Sequence, residues 1–268
     1  MELGGEADLR LLFFGDIEGR PGRKAVSRVL PELCERCRVD LVGANVENAA
    51  GGFGITKEIY EQLKELGIDF MTSGNHIWDK KETVKAISEF ERLVRPANFS
   101  ERAPGKGQII MQTKTGPLAI INLTGRIFMA PAEDPFAKVE KMLKELPEEV
   151  KAVFVDIHAE ATSEKMAIGW FLDGKVAAVI GTHTHVQTAD ERVLPQGAAY
   201  ITDVGMCGPL NSVIGVDPEQ AVERFLTGVP HRFEVASGPA QVNAVVIEID
   251  SETGKAKSIE RVQKILEE

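Results

Sequence analysis

Cysteine is scarce in this chain, three residues in 268. So small and odd a number builds no disulfide framework, and a reducing, cytoplasmic setting is the simplest expectation. Positive charge is in short supply: 31 Lys and Arg face 41 Asp and Glu, a formal net charge of −10. That balance argues against duplex nucleic acid as a partner, because its phosphates call for a basic face. Small phosphorylated substrates stay open, since bound metal ions can supply the missing positive charge. Long apolar runs are absent; stretches such as 11–14 and 176–180 fall far short of the ~20 residues of a membrane-spanning helix. The opening MELGGEADLR has neither a basic n-region nor an apolar h-region and does not read as a secretory signal. What is present is ordinary for a folded protein, 43% hydrophobic and 27% charged, which excludes disorder, collagen-like repeats and a coiled coil. With no repeat, low-complexity tract or linker, 1–268 reads as a single domain, with 1–8 as an N-terminal extension.

Short apolar runs alternate with amphipathic stretches. Strands are expected at 9–14, 39–44, 68–71, 118–123, 152–157, 176–180 and 199–202, then at 232–235 and 241–249 with antiparallel alternation. Helices are expected at 24–36, 56–66 (with Thr56 as N-cap), 81–90 and 135–146. Such alternation predicts an α/β fold, with helices covering a sheet or a pair of sheets.

The chemistry lies in the loops at the strand ends. LLFFGD ends in Asp16; VGANVEN brings Glu47 and Asn48; MTSGNH brings Asn75 and His76; VFVDIH brings His158; AAVIGTHTH brings His183 and His185. Ligands of open α/β sheets bind at the carboxyl ends of strands, so these loops can converge on one edge. One Asp or His after a strand is ordinarily a turn or structural residue. Four of the five His in such places are another matter, because burying them without partners is costly. Imidazole, carboxylate and amide oxygen without thiolate suit Fe, Mn, Zn or Co better than a structural zinc. The donors are too many for one ion and fit two, ~3.5–4 Å apart, sharing a carboxylate and a hydroxide that attacks phosphorus.

Gly74-Asn75-His76 and the Gly-x-His-x-His of 181–185 resemble two signature blocks of the calcineurin-like metallophosphoesterases. Asp16-Ile17-Glu18 replaces the usual Asp-x-His, and Asn45-Val46-Glu47-Asn48 replaces Gly-Asp-x-x-Asp. Those departures resemble one subgroup, the YmdB-like bacterial phosphodiesterases. The resemblance runs through GDIEGRPGR (15–23), VENAAGGFGIT (46–56), GNHIWDKKE (74–82), RPANF (95–99), INLTGR (121–126), DIHAEATSEK (156–165), GTHTHVQTAD (181–190) and ITDVGM (201–206). It implies an αββα sandwich of two packed β-sheets flanked by α-helices. It implies a first metal on Asp16, Asn48 and His185, a second on Asn75, His158 and His183, and Glu47 bridging both. It implies His76 as the acid that protonates the leaving oxygen, a role open to imidazole near neutral pH. Iron or manganese, a 2′,3′- or 3′,5′-cyclic nucleotide substrate and a homo-oligomer are further implications. A phosphomonoesterase or nucleotidase on the same metals is the alternative, as is a metal-stabilised regulatory protein with incidental activity.

Other features have plainer readings. Glu18 reads as a loop residue and Gly51–Gly54 as a turn at the pocket rim. Cys34-Glu35-Arg36-Cys37 lacks a second Cys pair or a thioredoxin setting and reads as helix-face thiols; Cys207 reads as structural. His231 reads as surface. Arg20, Arg23 and Arg126 are balanced between phosphate contact and ordinary salt bridging.

Overall fold

The computed structural model describes residues 8–230 and 232–267. Residues 1–7 of the expected extension, and His231, lie outside the described residues.

The chain opens with β1 (Leu9–Phe14), β2 (Asp16–Ile17), α1 (Gly19–Cys37), β3 (Leu41–Asn45), α2 (Lys57–Leu66), β4 (Phe70–Thr72) and α3 (Lys81–Ala86). There follow β5 (Gln108–Thr113), β6 (Gly116–Thr124), α4 (Pro135–Lys144), β7 (Ala152–His158), α5 (Thr162–Leu172) and β8 (Ala178–Thr182). The last part holds β9 (Arg192–Val193), β10 (Ala199–Ile201), β11 (Met206–Pro209), α6 (Pro218–Thr227), β12 (Ala240–Ile249) and β13 (Ala256–Leu266). One sheet has the order β2-β11-β12-β1-β3-β4, with β13 paired to β12; the other has the order β5-β6-β7-β8-β10-β9.

The two sheets stack. Alternation along each strand sends one set of side chains inward: Leu11, Phe13 and Ile247 from the first sheet meet Ile120, Phe154 and Ile180 from the second. The other face of the first sheet takes Val26, Leu30 and Leu33 of α1 and Tyr60 and Leu63 of α2. The other face of the second takes Val139 of α4 and Ile168 and Leu172 of α5. The result is the expected αββα layering. Among the described residues no helix is long and apolar enough to cross a membrane.

Register places the site. In the first sheet Phe14 pairs with Ala44, and Ala44 with Met71, so β1, β3 and β4 end level with one another. In the second, Thr124, His158 and Thr182 lie side by side at the ends of β6, β7 and β8. All these strands are parallel, so their carboxyl-end loops share one rim of the sandwich.

Several elements differ from the sequence expectation. The first helix begins five residues early, at Gly19, because Pro21 is tolerated in a first turn. The expected 81–90 helix stops at Ala86 and tightens into a 3₁₀ turn over Ile87–Glu89. The expected strand at 232–235 is absent; Val235 makes a lone bridge with Val216. The helices α5 and α6 and the strands β2, β5, β9, β11 and β13 carried no expectation. On α5 the apolar stripe is broken by Glu164 and Lys165, both buried. On β13, Ile259 joins the core between the sheets and Val262 the core under the helices, so hydrophobic residues sit on both faces and strand alternation is lost.

Candidate metal centre

Asp16 leaves β1 and begins β2, wholly buried. Its Oδ2 accepts the amide of His183 at 3.1 Å. Its Oδ1 lies 3.9 Å from Nδ1 of His158 and 3.9 Å from Nε2 of His185. Glu47, two residues past β3, is also wholly buried. Its Oε2 accepts the amide of His76 at 2.9 Å, and its Oε1 lies 2.9 Å from Nε2 of His158. Asn48 Nδ2 is 2.9 Å from Nε2 of His185, and Asn75 Oδ1 is 3.1 Å from Nε2 of His158. His183 Nδ1 is 3.0 Å from that same Nε2. Asp16, Glu47, Asn48, Asn75, His158, His183 and His185 therefore form one connected cluster. The polar atoms of Glu47, His158 and His183 all fall within 4.8 Å of one another, the spacing of a metal-ligating group. The approach is close enough to dictate a neighbour: a Cβ on Gly74 would sit 2.2 Å from the His158 ring and 2.4 Å from Glu47 Oε2.

His76 stands beside this cluster. Its amide is fixed on Glu47, its Nδ1 is 2.8 Å from Asp79 Oδ2, and the edge of the Phe53 ring packs against it at 4.9 Å between centroids. Its side chain is 31% exposed, so the ring faces solvent beside the cluster.

The hydrogen bonding answers whether cations fit. Among the described residues, four buried side-chain atoms have no hydrogen-bond partner, and three of them are Asp16 Oδ1, Glu47 Oε1 and Asn48 Oδ1. Orphaned buried oxygens are costly and rare. Three at one place, with imidazoles opposite, make a donor set that a hard or borderline cation satisfies. The tautomer of His158 agrees. Thr182 Oγ1 donates to Asp156 Oδ1 at 2.7 Å, so at 2.9 Å it receives Nδ1–H of His158. That leaves the Nε2 lone pair for the cluster.

Electrostatics point the same way. Burial, reinforced by Asp203 and Glu47 against the histidines, pushes the Asp16 carboxyl above its usual range. Burial with the charges of Asp16 and Glu47 pushes Glu18 up to about 9. Burial pushes Glu47 up as well, yet the His158 charge prevails and holds it at about 2. Burial would lower His158, but Glu47 and Asp16 raise it to about 9, whereas burial beside His158 drops His183 to about 3. Glu47 and Asp16 thus favour positive charge at His158, beside the place a bound cation would take.

Some residues were missed in the sequence. Asp156 accepts from Thr182, Thr72 and Asn45 Nδ2 under the cluster. The signal was a charge in the middle of the apolar strand VFVDIH. Lys165 and Asp203 form a fully buried pair at 2.7 Å behind the His-Thr-His loop. Glu18 lies in the loop between β2 and α1, as expected, and is buried there against the glycine backbone at 52, 208 and 215. The expected turn at 51–54 is present, with Gly51, Gly52 and Gly54 all at positive φ. Arg23 donates to the Ala49 carbonyl, and Arg126 lies 3.6 Å from Asp134. Cys34, Cys37 and Cys207 are free thiols.

Comparison with known proteins gives a consistent picture. The family described as YmdB-like protein matches residues 12–262. The 2′,3′-cyclic-nucleotide 2′-phosphodiesterase of Bacillus subtilis (strain 168) is 49% identical over 254 residues, 95% of this chain and 96% of that protein. A crystal structure of a novel phosphatase from Mycoplasma pneumoniae superimposes with a TM-score of 0.93 at 36% identity, covering 98% of this chain and 95% of that one. A hypothetical protein from Thermus thermophilus superimposes with a TM-score of 0.90 at 43% identity, over 96% of this chain and all of that one.

Proposed function

The chain belongs to the YmdB-like family, and from that premise we propose that it is a phosphodiesterase hydrolysing cyclic nucleotides at a two-cation centre. The 2′,3′-cyclic substrates of the Bacillus subtilis relative are the first class to expect, with 3′,5′-cyclic monophosphates beside them. The single observation that carries the reading is the trio of orphaned oxygens on Asp16, Glu47 and Asn48, facing His158, His183 and His185. In this proposal Asp16, Asn48 and His185 hold one cation, Asn75, His158 and His183 the other, and Glu47 both. Iron and manganese suit that donor set. When bound, such a pair supplies positive charge for the phosphoryl oxygens and acidifies water near neutral pH.

The protein's own groups do the rest. Thr182 and Asp156 fix the His158 tautomer, and Ile214 O does the same for His185 by accepting from Nδ1 at 2.8 Å. Glu47 anchors the His76 backbone, and Asp79 at Nδ1 turns the ring so that Nε2 offers a proton to the departing oxygen. The 8–267 sandwich acts as one catalytic domain, and three free thiols suit a cytoplasmic setting.

The test is a metal analysis followed by a substrate panel. Wild-type protein loaded with Mn²⁺ or Fe²⁺ is expected to open 2′,3′-cyclic nucleotides. Glu47→Gln is expected to lose turnover by at least ~100-fold together with stoichiometric metal. Normal activity in Glu47→Gln would mean that the centre lies elsewhere. The Mycoplasma pneumoniae protein's description as a phosphatase favours a monoester reading as the second choice. Faster release of phosphate from a mononucleotide than ring opening of a cyclic one would select it.

A further inference from the structure

The overall charge of −10 hides a local exception on α1. Arg20, Lys24 and Arg28 occur at i, i+4 and i+8 and are all exposed, so they form one row along the helix. At 1.5 Å per residue their spacing is ~6 Å and the row spans ~12 Å. Among the described residues none of the three lies within ion-pair distance of a carboxylate; Arg28 donates only to the backbone carbonyl of Glu267, at 3.3 Å. The neighbouring charges do not cancel the row. Glu32, one step further along the helix, is itself neutralised by Arg36 at 3.3 Å and Lys264 at 3.0 Å.

The row lines a groove of about 490 Å³ between α1, the 237–240 turn and the end of β13. Pro21, Ala25 and Leu266 form its apolar floor, and Glu267 is its one acidic residue. The groove is also aimed. Asp16 of the metal centre stands four residues before Arg20, and the Gly19 amide is bonded at 2.9 Å to the carbonyl of Asn48, another of the proposed ligands. The cationic row therefore starts at the rim of the centre and leads away from it.

We propose that this row is a track for the strand of a single-stranded RNA whose 3′ end, carrying a 2′,3′-cyclic phosphate, lies in the metal centre. The inference rests on the cyclic phosphodiesterase reading and extends its substrate class from mononucleotides to oligonucleotide ends. A mononucleotide has no use for cations strung ~12 Å along a helix, whereas each further nucleotide of a strand brings a phosphate to them. A groove with an apolar floor and a single basic wall fits one flexible strand; a duplex needs basic surface against both of its backbones, and the acidic remainder of the protein opposes it. The reaction at the end is hydrolysis: a water oxygen bonds to phosphorus, the P–O2′ bond breaks, O2′ takes up the proton, and the strand keeps a 3′-monophosphate. The reactions that supply such a substrate are RNA cleavages in which a 2′-hydroxyl attacks its own phosphodiester.

The experiment compares wild type with Lys24→Ala/Arg28→Ala, two exposed changes outside the metal centre. Fluorescence anisotropy with a labelled single-stranded oligoribonucleotide is read over a salt series, and steady-state kinetics use the same strand ended by a 2′,3′-cyclic phosphate. Wild type is expected to bind the strand, with log affinity falling on log salt by ~0.7 per phosphate contacted. The double variant is expected to lose ~1.4 from that slope and to show a KM about tenfold higher for the strand at low salt. Its kinetics on a 2′,3′-cyclic mononucleotide stay unchanged. An equal slope and an equal KM for the strand in both proteins would overturn the proposal, and so would a wild-type KM no lower for the strand than for the mononucleotide. Failure of the underlying activity shows separately, as a wild type that binds the strand and opens neither substrate.

Discussion

His76 and Asp79 are the residues through which the chemistry is most directly open to question. Both lie on the 3₁₀ turn and its cap after β4, where His76 is anchored by its amide to Glu47 rather than by its ring to the cluster. A ring free of the cluster is free to carry a proton. His76→Asn is therefore expected to lower kcat by about 10²–10⁴ while metal per chain stays at the wild-type value. Asp79→Asn leaves the ring present but releases its Nδ1, and a milder fall in kcat, about tenfold, is expected with KM little changed. Elemental analysis beside kinetics separates the roles: metal lost in proportion to activity would make His76 a ligand.

The elements behind the site explain why such strained loops persist. His183 and His185 both sit at positive φ, 100° and 64°, where a residue with a side chain is strained by ~1–3 kcal/mol. Between them Thr184 is held at both ends: its amide and hydroxyl each donate to Asp203 Oδ2, at 3.0 and 2.7 Å. Asp203 is held in turn by Lys165 of α5, which also donates to the Thr182 carbonyl at 2.9 Å. Thr184→Val removes one of these bonds without exposing a buried charge. We expect it to weaken Mn²⁺ affinity about 10-fold or more while shifting the melting temperature of the metal-free protein by only a few degrees. Lys165→Met is expected to be much more disruptive, because Asp203 is then buried unpaired.

A second element-scale prediction concerns pH. Burial of Tyr200 on β10, beneath Gly169 of α5, pushes its hydroxyl up to about 12 despite the bond to Thr202. The phenol has the higher pKa in the folded state, so its contribution is fully present below about 10, the unfolded value, and is lost as pH rises through about 12. Denaturant titrations should show the stability difference between wild type and Tyr200→Phe shrinking by about 2–3 kcal/mol across that window. A constant difference would refute the assignment.

At the scale of elements the sequence was uneven, for identifiable reasons. Parallel strands buried on both faces announce themselves as apolar runs, as in LLFF and AAVI, and the residues of the cluster stood out because polar residues follow such runs abruptly. On α5 the helical period was masked by Glu164, which caps the amides of Arg126 and Ile127, and by Lys165, which pairs with Asp203. Each is a charged residue buried for a partner distant in sequence, and no local pattern shows that. Asp203 was missed for the same reason, whereas Asp156 did stand out as a charge inside the apolar strand VFVDIH and only its partners Thr72 and Asn45 are remote in sequence. The expected strand at 232–235 failed because alternation alone was read, and among the described residues of that stretch only Val235 finds a bridging partner, Val216.

At the scale of the whole molecule, the site is a seam. The first sheet contributes Asp16, Glu47, Asn48 and Asn75; the second contributes His158, His183 and His185. Between the sheets the core contacts are apolar, Phe13 against Phe154 at 4.9 Å between ring centroids, and nearer the rim Asn45 and Thr72 of the first sheet donate to Asp156 of the second. At the rim they meet through carboxylates and imidazoles, and burial there pushes the carboxyls of Asp16 and Glu18 above their usual range. Ions bound at this rim would tie one sheet to the other. A ligand bound only by the folded state stabilises it by about 2.7 kcal/mol at a hundred times its dissociation constant. Exhaustive chelation is expected to lower the melting temperature, and added Mn²⁺ to restore it in a concentration-dependent way. Hydrogen exchange should localise the change: faster in 45–49, 74–79 and 183–186 after chelation, unchanged in β5, an edge strand of the second sheet. The Glu47→Gln protein should melt at the same temperature with and without chelator, because its seam can no longer be closed by a cation. If chelation moved neither the melting temperature nor the exchange of those loops, the two sheets would be joined by the protein's own contacts alone, and the donors at the rim would need another explanation.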